Sequence, residues 1–252
     1  MLDSVIVRTL VSIWSWFALV MLIIIWTPMV AVVRVVTLPF DRGAYAAGLL
    51  FRKLAVAHQL ATPIWTFKVV GEVPDDPRRP YVVVSNHESF VDILVIAHLP
   101  MEMKWLSKDQ FFRFPLVGWM MRMVRDIPLR RGNRESAIAA LAQCRQRLDD
   151  QVSVMIFPEG TRSVSAEMGP FKDGAFSTAI DAQVPILPLV VTGTRGALRK
   201  HDWRLHRSTA EVHILAPIPT EGLGADDVEE LRERVRDLIA TRRAELNGAD
   251  RV

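Results

Sequence analysis

The stretch YVVVSNHESFVD, residues 81–92, decides the fold of this chain. Its β-branched run at 81–84 predicts a short strand, and the polar residues that follow predict a turn before an apolar helical segment. Similar strand-like runs recur along the chain, at 65–70, 152–157, 186–191 and 211–215. Helical patterns separate these runs. This alternation predicts the α/β class, with a single domain whose mixed, largely parallel sheet is flanked by helices.

Three helices outside the first forty residues are predicted from apolar spacing. Residues 42–62 form an amphipathic pattern, which fits either a helix on the membrane surface or, as we favour, one packed on the core. Asn133 is placed to cap a second helix, and apolar residues recur at helical spacing after Val228 in a third. These helices would cover the faces of the predicted sheet.

The N-terminal segment is apolar on all sides. From Thr9 to Val33 it contains no charged residue, and as a helix it is long enough to cross a bilayer core of roughly 30 Å. A signal peptide is disfavoured, because the nearest small-residue cleavage pattern, residues 44–46, lies well beyond the apolar run. Pro28 leaves two geometries open, a span or a helical hairpin within one leaflet. We therefore expect residues 1–41 to be a membrane-embedded anchor and 42–252 to be the main domain.

Charges flanking the anchor predict its orientation. Arg34, Arg42, Arg52 and Lys53 follow the apolar run, whereas Arg8 precedes it. Because positive charge is retained on the cytoplasmic side, we expect the chain to lie in the cell membrane with the main domain facing the cytoplasm.

Composition and motifs exclude several classes of function. The single cysteine, Cys144, cannot form an internal disulfide, which disfavours a disulfide-stapled secreted protein. The chain has no P-loop, no Gly-x-Gly-x-x-Gly and no Gly-x-Ser-x-Gly, so nucleotide-dependent enzymes and serine hydrolases are disfavoured. The histidines are scattered, so we expect no metal site, and we expect no nucleic-acid partner.

His87 and Asp92 form the first candidate site. They lie five residues apart, so they meet only if His87 is in the turn and Asp92 in the following helix. A helical side chain leans toward the helix N-terminus, which would aim the carboxylate at the imidazole and orient it. The free ring nitrogen could then accept a proton from an alcohol.

Residues 157–163, FPEGTRS, form the second candidate site and also follow a predicted strand. Loops after the carboxyl ends of parallel strands share one edge of the sheet, so His87 and Arg162 are expected to face one cleft. Gly160 permits a tight turn, and Arg162 offers a planar fork for a phosphate. For Glu159, a local ion pair with Arg162 that closes the loop is an equally good interpretation.

These two blocks resemble those of the glycerolipid acyltransferase family typified by bacterial 1-acylglycerol-3-phosphate acyltransferase. Asn86 to Asp92 resembles its His-x4-Asp block, and Phe157 to Ser163 its Glu-Gly-Thr-Arg block. Residues 127–131 and 184–188 fit two further blocks in the same order, and the resemblance covers about residues 65–195. Lys108, Phe171 and Lys172 also occupy places where the family is commonly basic or aromatic.

The resemblance implies roles for particular residues. His87 would be the general base and Asp92 its partner. The acceptor's phosphate would be held by Arg162 with Lys104 and either Arg130 or Arg131. The remaining substrate-binding candidates belong to the second block: Glu159, Gly160 and Thr161.

The function implied is transfer of a fatty acyl group from acyl-CoA or acyl carrier protein to the sn-2 hydroxyl of 1-acylglycerol-3-phosphate (lysophosphatidic acid), giving phosphatidic acid. The donor is a substrate, and no cofactor is expected. One alternative is a sister enzyme with another acceptor, such as glycerol-3-phosphate or a lyso-aminolipid. The other is a membrane protein that binds lysophospholipid without catalysis, which would leave the His87 and Asp92 pair unexplained.

Overall fold

The computed structural model describes residues 5–76, 78–162, 168–199 and 202–249. Its α-helices are α1 Val5–Thr37, α2 Tyr45–Leu60, α3 Val91–Ile96, α4 Val117–Met123, α5 Arg134–Asp149, α6 Gly174–Ala182 and α7 Val228–Ala249. Its strands are β1 Trp65–Val70, β2 Val82–Ser85, β3 Met103–Lys108, β4 Ile127–Leu129, β5 Ser153–Ile156, β6 Ile186–Thr192 and β7 Ser208–Ile214. Short 3-10 helices occupy Asp109–Arg113 and Ala225–Asp227.

The strands form one seven-stranded sheet in the order β1-β7-β6-β2-β5-β3-β4. Every neighbouring pair is parallel except β6 and β7. The predicted mixed, largely parallel sheet is therefore confirmed. Five of its strands run in one direction side by side, so the loops after β2, β5, β3 and β6 meet at one edge.

Alternate residues of each central strand pack on opposite faces of the sheet. In β2, Val83 belongs to a core shared with α3, whereas Val82 and Val84 belong to a core shared with α5, α6 and α7. All three valines are fully buried, as expected for a parallel strand covered on both faces. The result is a sheet between two helical layers.

α1 is one continuous helix with Pro28 inside it, so the hairpin alternative at that residue is wrong. Its most apolar 18-residue window has a mean hydropathy of 2.5 and is only 6% buried, which makes it a candidate membrane helix by length and composition. The helix also lies against the rest of the molecule. The indole N–H groups of Trp14, Trp16 and Trp26 each donate to a backbone carbonyl outside α1, at 2.9–3.0 Å. One face of α1 is thus attached to the domain and the other is exposed.

α2 packs between α1 and the sheet, as the favoured interpretation of residues 42–62 predicts. It contributes Ala47 and Leu54 to a small core shared with Val30 of α1 and Met120 of α4. Gly48 lies where α2 crosses β3 closely, since a Cβ there would stand 2.1 Å from the carboxylate of Glu102. The second predicted helix is α5, whose first turn is capped by Asn133 Oδ1 accepting from Ser136 N at 2.7 Å.

Candidate active site

His87 and Asp92 meet as predicted. His87 follows β2 in the turn, Asp92 lies in the first turn of α3, and His87 Nδ1 is 2.8 Å from Asp92 Oδ2. A carboxylate only accepts hydrogen bonds, so Nδ1 carries the proton in this pair. The other ring nitrogen, Nε2, is therefore the one available to accept a proton from a ligand.

Four donors hold the carboxylate of Asp92. Besides the imidazole, Oδ2 accepts from the backbone N–H groups of Glu88 and Ser89 at 2.7 and 2.9 Å, and Oδ1 accepts from the hydroxyl of Thr194. Asp92 is fully buried. The backbone donors come from the turn itself, and Thr194 follows β6 about a hundred residues later. Asp92 is consequently fixed in one orientation, which in turn fixes the imidazole.

The turn is also tied to its neighbours. The side chain of Asn86 donates to Val191 O and accepts from Val191 N, each at 2.9 Å. The imidazole of His87 stacks on the ring of Phe157 with 4.0 Å between centroids, and Phe157 in turn contacts Trp105. Loops after β2, β5 and β6 and a residue of β3 therefore combine to position a single side chain.

Glu159 braces two loops. Its carboxylate accepts from His87 N and from Gly169 N, both at 2.9 Å, and the residue is 8% exposed. Glu159 is not among the residues that line the cavity described below, and these two contacts hold the His87 turn to the loop after β5. Gly160 adopts a φ of +71°, which confirms the tight turn. Ser163, the last residue of the block, lies outside the described residues.

A cavity of about 430 Å³ opens where these loops meet. His87, Thr161, Arg131 and Arg162 all lie on its wall. The structure therefore brings the two sequence blocks to one cleft, as predicted. The wall has an apolar part made by Phe90, Ile93, Trp105, Leu106, Phe111, Phe157 and Leu198.

The wall also has a positively charged part. It includes Lys108, Arg131 and Arg162, none of which has a carboxylate at ion-pairing distance within the described part of the chain. Partial burial and the nearby charge of Arg162 lower the pKa of Arg131, as expected where cations are held together without a counter-ion. Arg130 is instead exposed on the outside, 3.6 Å from Asp109. Geometry thus favours Arg131 over Arg130.

Lys104 is not among the residues that line the cavity, so the structure does not place it at the predicted phosphate site. Its ammonium group is fully buried and bonds Glu102 Oε1 at 2.8 Å and a backbone carbonyl at 2.9 Å. Arg52 and Asp126 complete this buried ion cluster, with Arg52 Nε 3.5 Å from Glu102 and Arg52 Nη1 3.2 Å from Asp126. Burial lowers the pKa of Lys104 and raises that of Glu102. The cluster joins α2 to the sheet.

Two charged residues on the cavity wall, Glu88 and Arg195, were not predicted from the sequence. Glu88 follows His87, and its carboxylate contacts Arg195 Nε at 3.3 Å and the guanidinium of Arg243 from α7. Glu88 and Arg195 both line the cavity, which places a structured ion pair beside the imidazole. Of the two lysines at places where the family is commonly basic, Lys108 lines the cavity, whereas Lys172 is exposed and outside its wall.

Comparisons with known proteins agree with this architecture. The crystal structure of the 1-acyl-sn-glycerophosphate (LPA) acyltransferase PlsC from Thermotoga maritima superimposes with a TM-score of 0.80 and 26% sequence identity, covering 96% of this chain and 97% of that one. The likeness therefore includes α1 and the whole sheet.

Relatives from eukaryotes match about two thirds of the chain. The 1-acyl-sn-glycerol-3-phosphate acyltransferase alpha of Homo sapiens is 38% identical over 167 residues, covering 66% of this chain and 59% of that protein. The chloroplastic enzyme BAT2 of Brassica napus is 42% identical over 159 residues, covering 63% and 46%. The Saccharomyces cerevisiae 1-acyl-sn-glycerol-3-phosphate acyltransferase is 35% identical over 174 residues, covering 68% and 57%. The chain thus spans about half the length of these relatives.

The family model described as Acyltransferase matches residues 66–192, a segment that begins in β1, ends with β6 and contains His87, Asp92, Arg131 and Arg162. In the structure His87, Arg131 and Arg162 line one cavity, and Asp92 lies buried behind His87 and pairs with its imidazole. The chain therefore belongs to the acyltransferase family.

Proposed function

We propose that the protein is a membrane-bound 1-acylglycerol-3-phosphate acyltransferase. It would move a fatty acyl group from acyl-CoA or acyl carrier protein to the sn-2 hydroxyl of lysophosphatidic acid, giving phosphatidic acid. The observation that carries the proposal is the oriented imidazole of His87 in a cavity whose wall combines cationic and apolar side chains. An amphiphile with a phosphate and an acyl chain matches such a wall. The names of the relatives point to the same substrate.

The chemistry proposed is direct transfer with His87 as general base. Nε2 removes the proton of the acceptor hydroxyl as its oxygen attacks the thioester carbonyl, forming the new C–O bond. The tetrahedral intermediate collapses by breaking the C–S bond, and the departing sulfur receives the proton from the imidazolium. Asp92 stabilises the imidazolium in between, because its ionised carboxylate accepts a hydrogen bond from Nδ1–H. Atoms and charge balance without an acyl-enzyme intermediate.

The proposed phosphate ligands are Arg162 and Arg131. Both guanidinium groups line the cavity, and each offers paired N–H donors to phosphate oxygens. Their mutual repulsion in the free protein would be relieved by a bound anion, so part of the binding energy arises from that relief. Lys108, on the same wall, is a further candidate to contact a negatively charged group of the acyl donor or of the acceptor.

Membrane attachment is proposed to use the exposed face of α1. Large apolar side chains such as Ile13, Phe17 and Ile24 are about half exposed there, where only lipid would remove them from water. The proposal that the main domain faces the cytoplasm rests on the positive charges of Arg34, Arg42 and Lys53, which follow the apolar run. Arg52 no longer counts among them, because it is buried in the ion cluster.

An acceptor and donor panel tests the function. Purified protein in detergent would receive lysophosphatidic acid, glycerol-3-phosphate or a lyso-aminolipid together with acyl-CoA or acyl carrier protein, and products would be read by mass spectrometry. We expect phosphatidic acid from lysophosphatidic acid, and none from His87→Ala. Preference for another acceptor would identify a sister enzyme. Lipid binding without turnover, insensitive to His87, would replace the proposal with the non-catalytic alternative.

A further inference from the structure

A second cavity lies across the 3-10 helix Asp109–Arg113 from the candidate active site. Its volume is about 470 Å³. Lys108 and Phe111 face the first cavity, whereas Asp109, Phe112 and Arg113 line the second. The two spaces thus share one wall and are otherwise separate, so a ligand in the second would not be the acyl acceptor.

Four arginines line this second space, which we name the arginine pocket: Arg113, Arg122, Arg125 and Arg147. They come from four places in the chain, namely the end of the 3-10 helix, α4, the residue before Asp126, and the last turn of α5. Gln143, one helical turn before Arg147, adds an amide to the wall. The fold therefore brings arginines from separate segments of the chain together in one surface pocket.

The carboxylates in the arginine pocket are already engaged. Asp126 holds Arg52 of the buried ion cluster, and Asp109 lies 3.2 Å from Arg113 and 3.6 Å from Arg130. Arg122 and Arg147 have no carboxylate at ion-pairing distance among the residues that the structure describes. The pocket therefore has an excess of positive charge.

Two of the arginines are fixed in place. Arg147 is 6% exposed and donates from Nε to the backbone carbonyl of Arg125 at 3.0 Å, and Arg125 pairs with Asp150 at 2.7 Å. Burial and the adjacent charge of Arg125 lower the pKa of Arg147. Preorganised guanidinium groups of this kind are suited to phosphate oxygens.

Exposed aromatic side chains are close in sequence to two of these arginines. Phe114 follows Arg113, Trp119 lies one helical turn before Arg122 in α4, and each aromatic residue is 55% exposed. The helix α4, which contains Trp119 and Arg122, packs on α1 through Met120. Aromatic and basic side chains occur together at the level of lipid headgroups, next to a helix whose outer face is apolar.

We propose that the arginine pocket binds the phosphate of an anionic phospholipid in the bilayer that holds α1, as a site separate from the acyl-acceptor cavity. The inference rests on the proposed membrane attachment through α1. The phosphate would accept from Arg113 and Arg122 at the rim and from Arg147 deeper in the pocket. The lipid's acyl chains would remain in the bilayer beside Phe114 and Trp119.

Native mass spectrometry of the full chain tests the proposal. The protein would be exchanged into detergent micelles containing dioleoyl phosphatidylglycerol or dioleoyl phosphatidylcholine, and retained lipid would be counted. We expect wild type to retain one phosphatidylglycerol in preference to phosphatidylcholine. Arg113→Gln with Arg122→Gln should weaken retention about tenfold or more, since each charged hydrogen bond supports such a factor. Both side chains are exposed, so these variants should fold, and unfolding temperature would check it.

Matched controls separate a site from general charge effects. Arg234→Gln with Arg242→Gln removes the same charge from one exposed and one partly exposed position of α7 and should retain lipid as wild type does. Arg162→Lys, altered in the other cavity, should also retain it. Equal retention in the Arg113 and Arg122 variant, or loss in Arg162→Lys instead, would overturn the proposal.

Two soluble competitors identify the source of the phosphate. Inorganic phosphate and adenosine 3′,5′-bisphosphate, which carries the phosphates of a nucleotide-linked donor, would be titrated against bound phosphatidylglycerol. Weak displacement by both supports a lipid site. Displacement by either one at the concentration of the lipid would overturn the lipid assignment. Acyl-transfer activity would be measured on the same samples. Loss of lipid retention with transfer intact would then concern the arginine pocket alone, whereas absence of transfer would concern the proposed function.

Discussion

The cationic wall of the candidate active site and the buried ion cluster use the same kinds of residue for opposite purposes. Arg131 and Arg162 are exposed in a cavity and lack carboxylate partners in the described part of the chain. Lys104 and Arg52 are buried against Glu102 and Asp126. The unpaired set is available to an external anion, whereas the paired set has its counter-ions inside the protein. The two sets differ in position: Arg131 and Arg162 lie in the cleft at the edge of the sheet, whereas the side chains of Lys104 and Arg52 lie between α2 and the sheet.

β3 shows this contrast within a single strand. Lys104 is near its beginning, paired with Val154 of β5 in the middle of the sheet and covered by α2. Lys108 is its last residue and lines the cavity. Two lysines four residues apart therefore differ in surroundings, because the part of β3 that lines the cleft begins at Trp105 and Lys104 lies before it, under α2.

The largest effect is expected on the catalytic side of the comparison. His87→Ala should lower kcat by about 10²- to 10⁴-fold, the usual contribution of a general base. The free energy of unfolding should fall by only about 0.5–1.5 kcal/mol, the scale of the lost stacking on Phe157. Steady-state kinetics and chemical denaturation would measure both. Retention of a tenth of the wild-type kcat would remove His87 from the role of base.

The buried ion cluster should show the reverse behaviour. Lys104→Met leaves Glu102 buried without its closest cation and should cost about 3–5 kcal/mol of folding free energy. The KM for acceptor should be unchanged in the protein that remains folded. Combining Lys104→Met with Glu102→Gln should recover part of the stability, because the unpaired charge is removed. A raised acceptor KM at unchanged stability would return Lys104 to the phosphate site.

Arg162→Lys tests the cationic wall directly. It keeps the charge and removes the fork, so binding of lysophosphatidic acid should weaken by about 1.5–3 kcal/mol while the donor KM barely changes. An acceptor without phosphate should be used poorly by wild type and be insensitive to the substitution. Arg130→Lys, outside the cavity, is the matched control. Equal losses on both acceptors would contradict a phosphate contact.

The smallest predicted effect concerns Thr194, whose hydroxyl holds Asp92. Thr194→Val should raise the activation free energy by about 0.5–1.5 kcal/mol, the value of one hydrogen bond, seen as a several-fold fall in kcat. Thr194→Ser keeps the hydroxyl and should restore most of the rate. If serine fails where valine fails, the methyl group and not the hydrogen bond is what matters.

Much of the sheet could be predicted from local pattern alone. Five of the strands were expected from runs of β-branched residues, within a few residues of their observed ends. β3 and β4 were not, because β3 contains two lysines and β4 is three residues long and includes Pro128. Lys104 is buried together with its ion-pair partner Glu102, the residue directly before β3. Local sequence does not report such pairing.

The site was predictable where its residues are close in sequence. His87 and Asp92 are five apart, and the strand, turn and helix between them determine their contact. Thr194 and Arg195 reach the same place from the end of β6, and without a short-range pattern around them only the folded sheet reveals their position. The choice of Arg131 over Arg130 is likewise set by which side chain the end of β4 turns inward.

Gly48 carries a consequence for the evolution of the family. A Cβ at this position would stand 2.1 Å from Glu102 Oε1 and 2.8 Å from Lys104 Nζ, so an alanine cannot coexist with that ion pair in this geometry. The three positions should therefore covary among relatives: lineages that keep the acid and the lysine should keep the glycine, and those that lose the pair should be released from it. An ancestral replacement of Gly48 would have been tolerated only after the pair had already been lost.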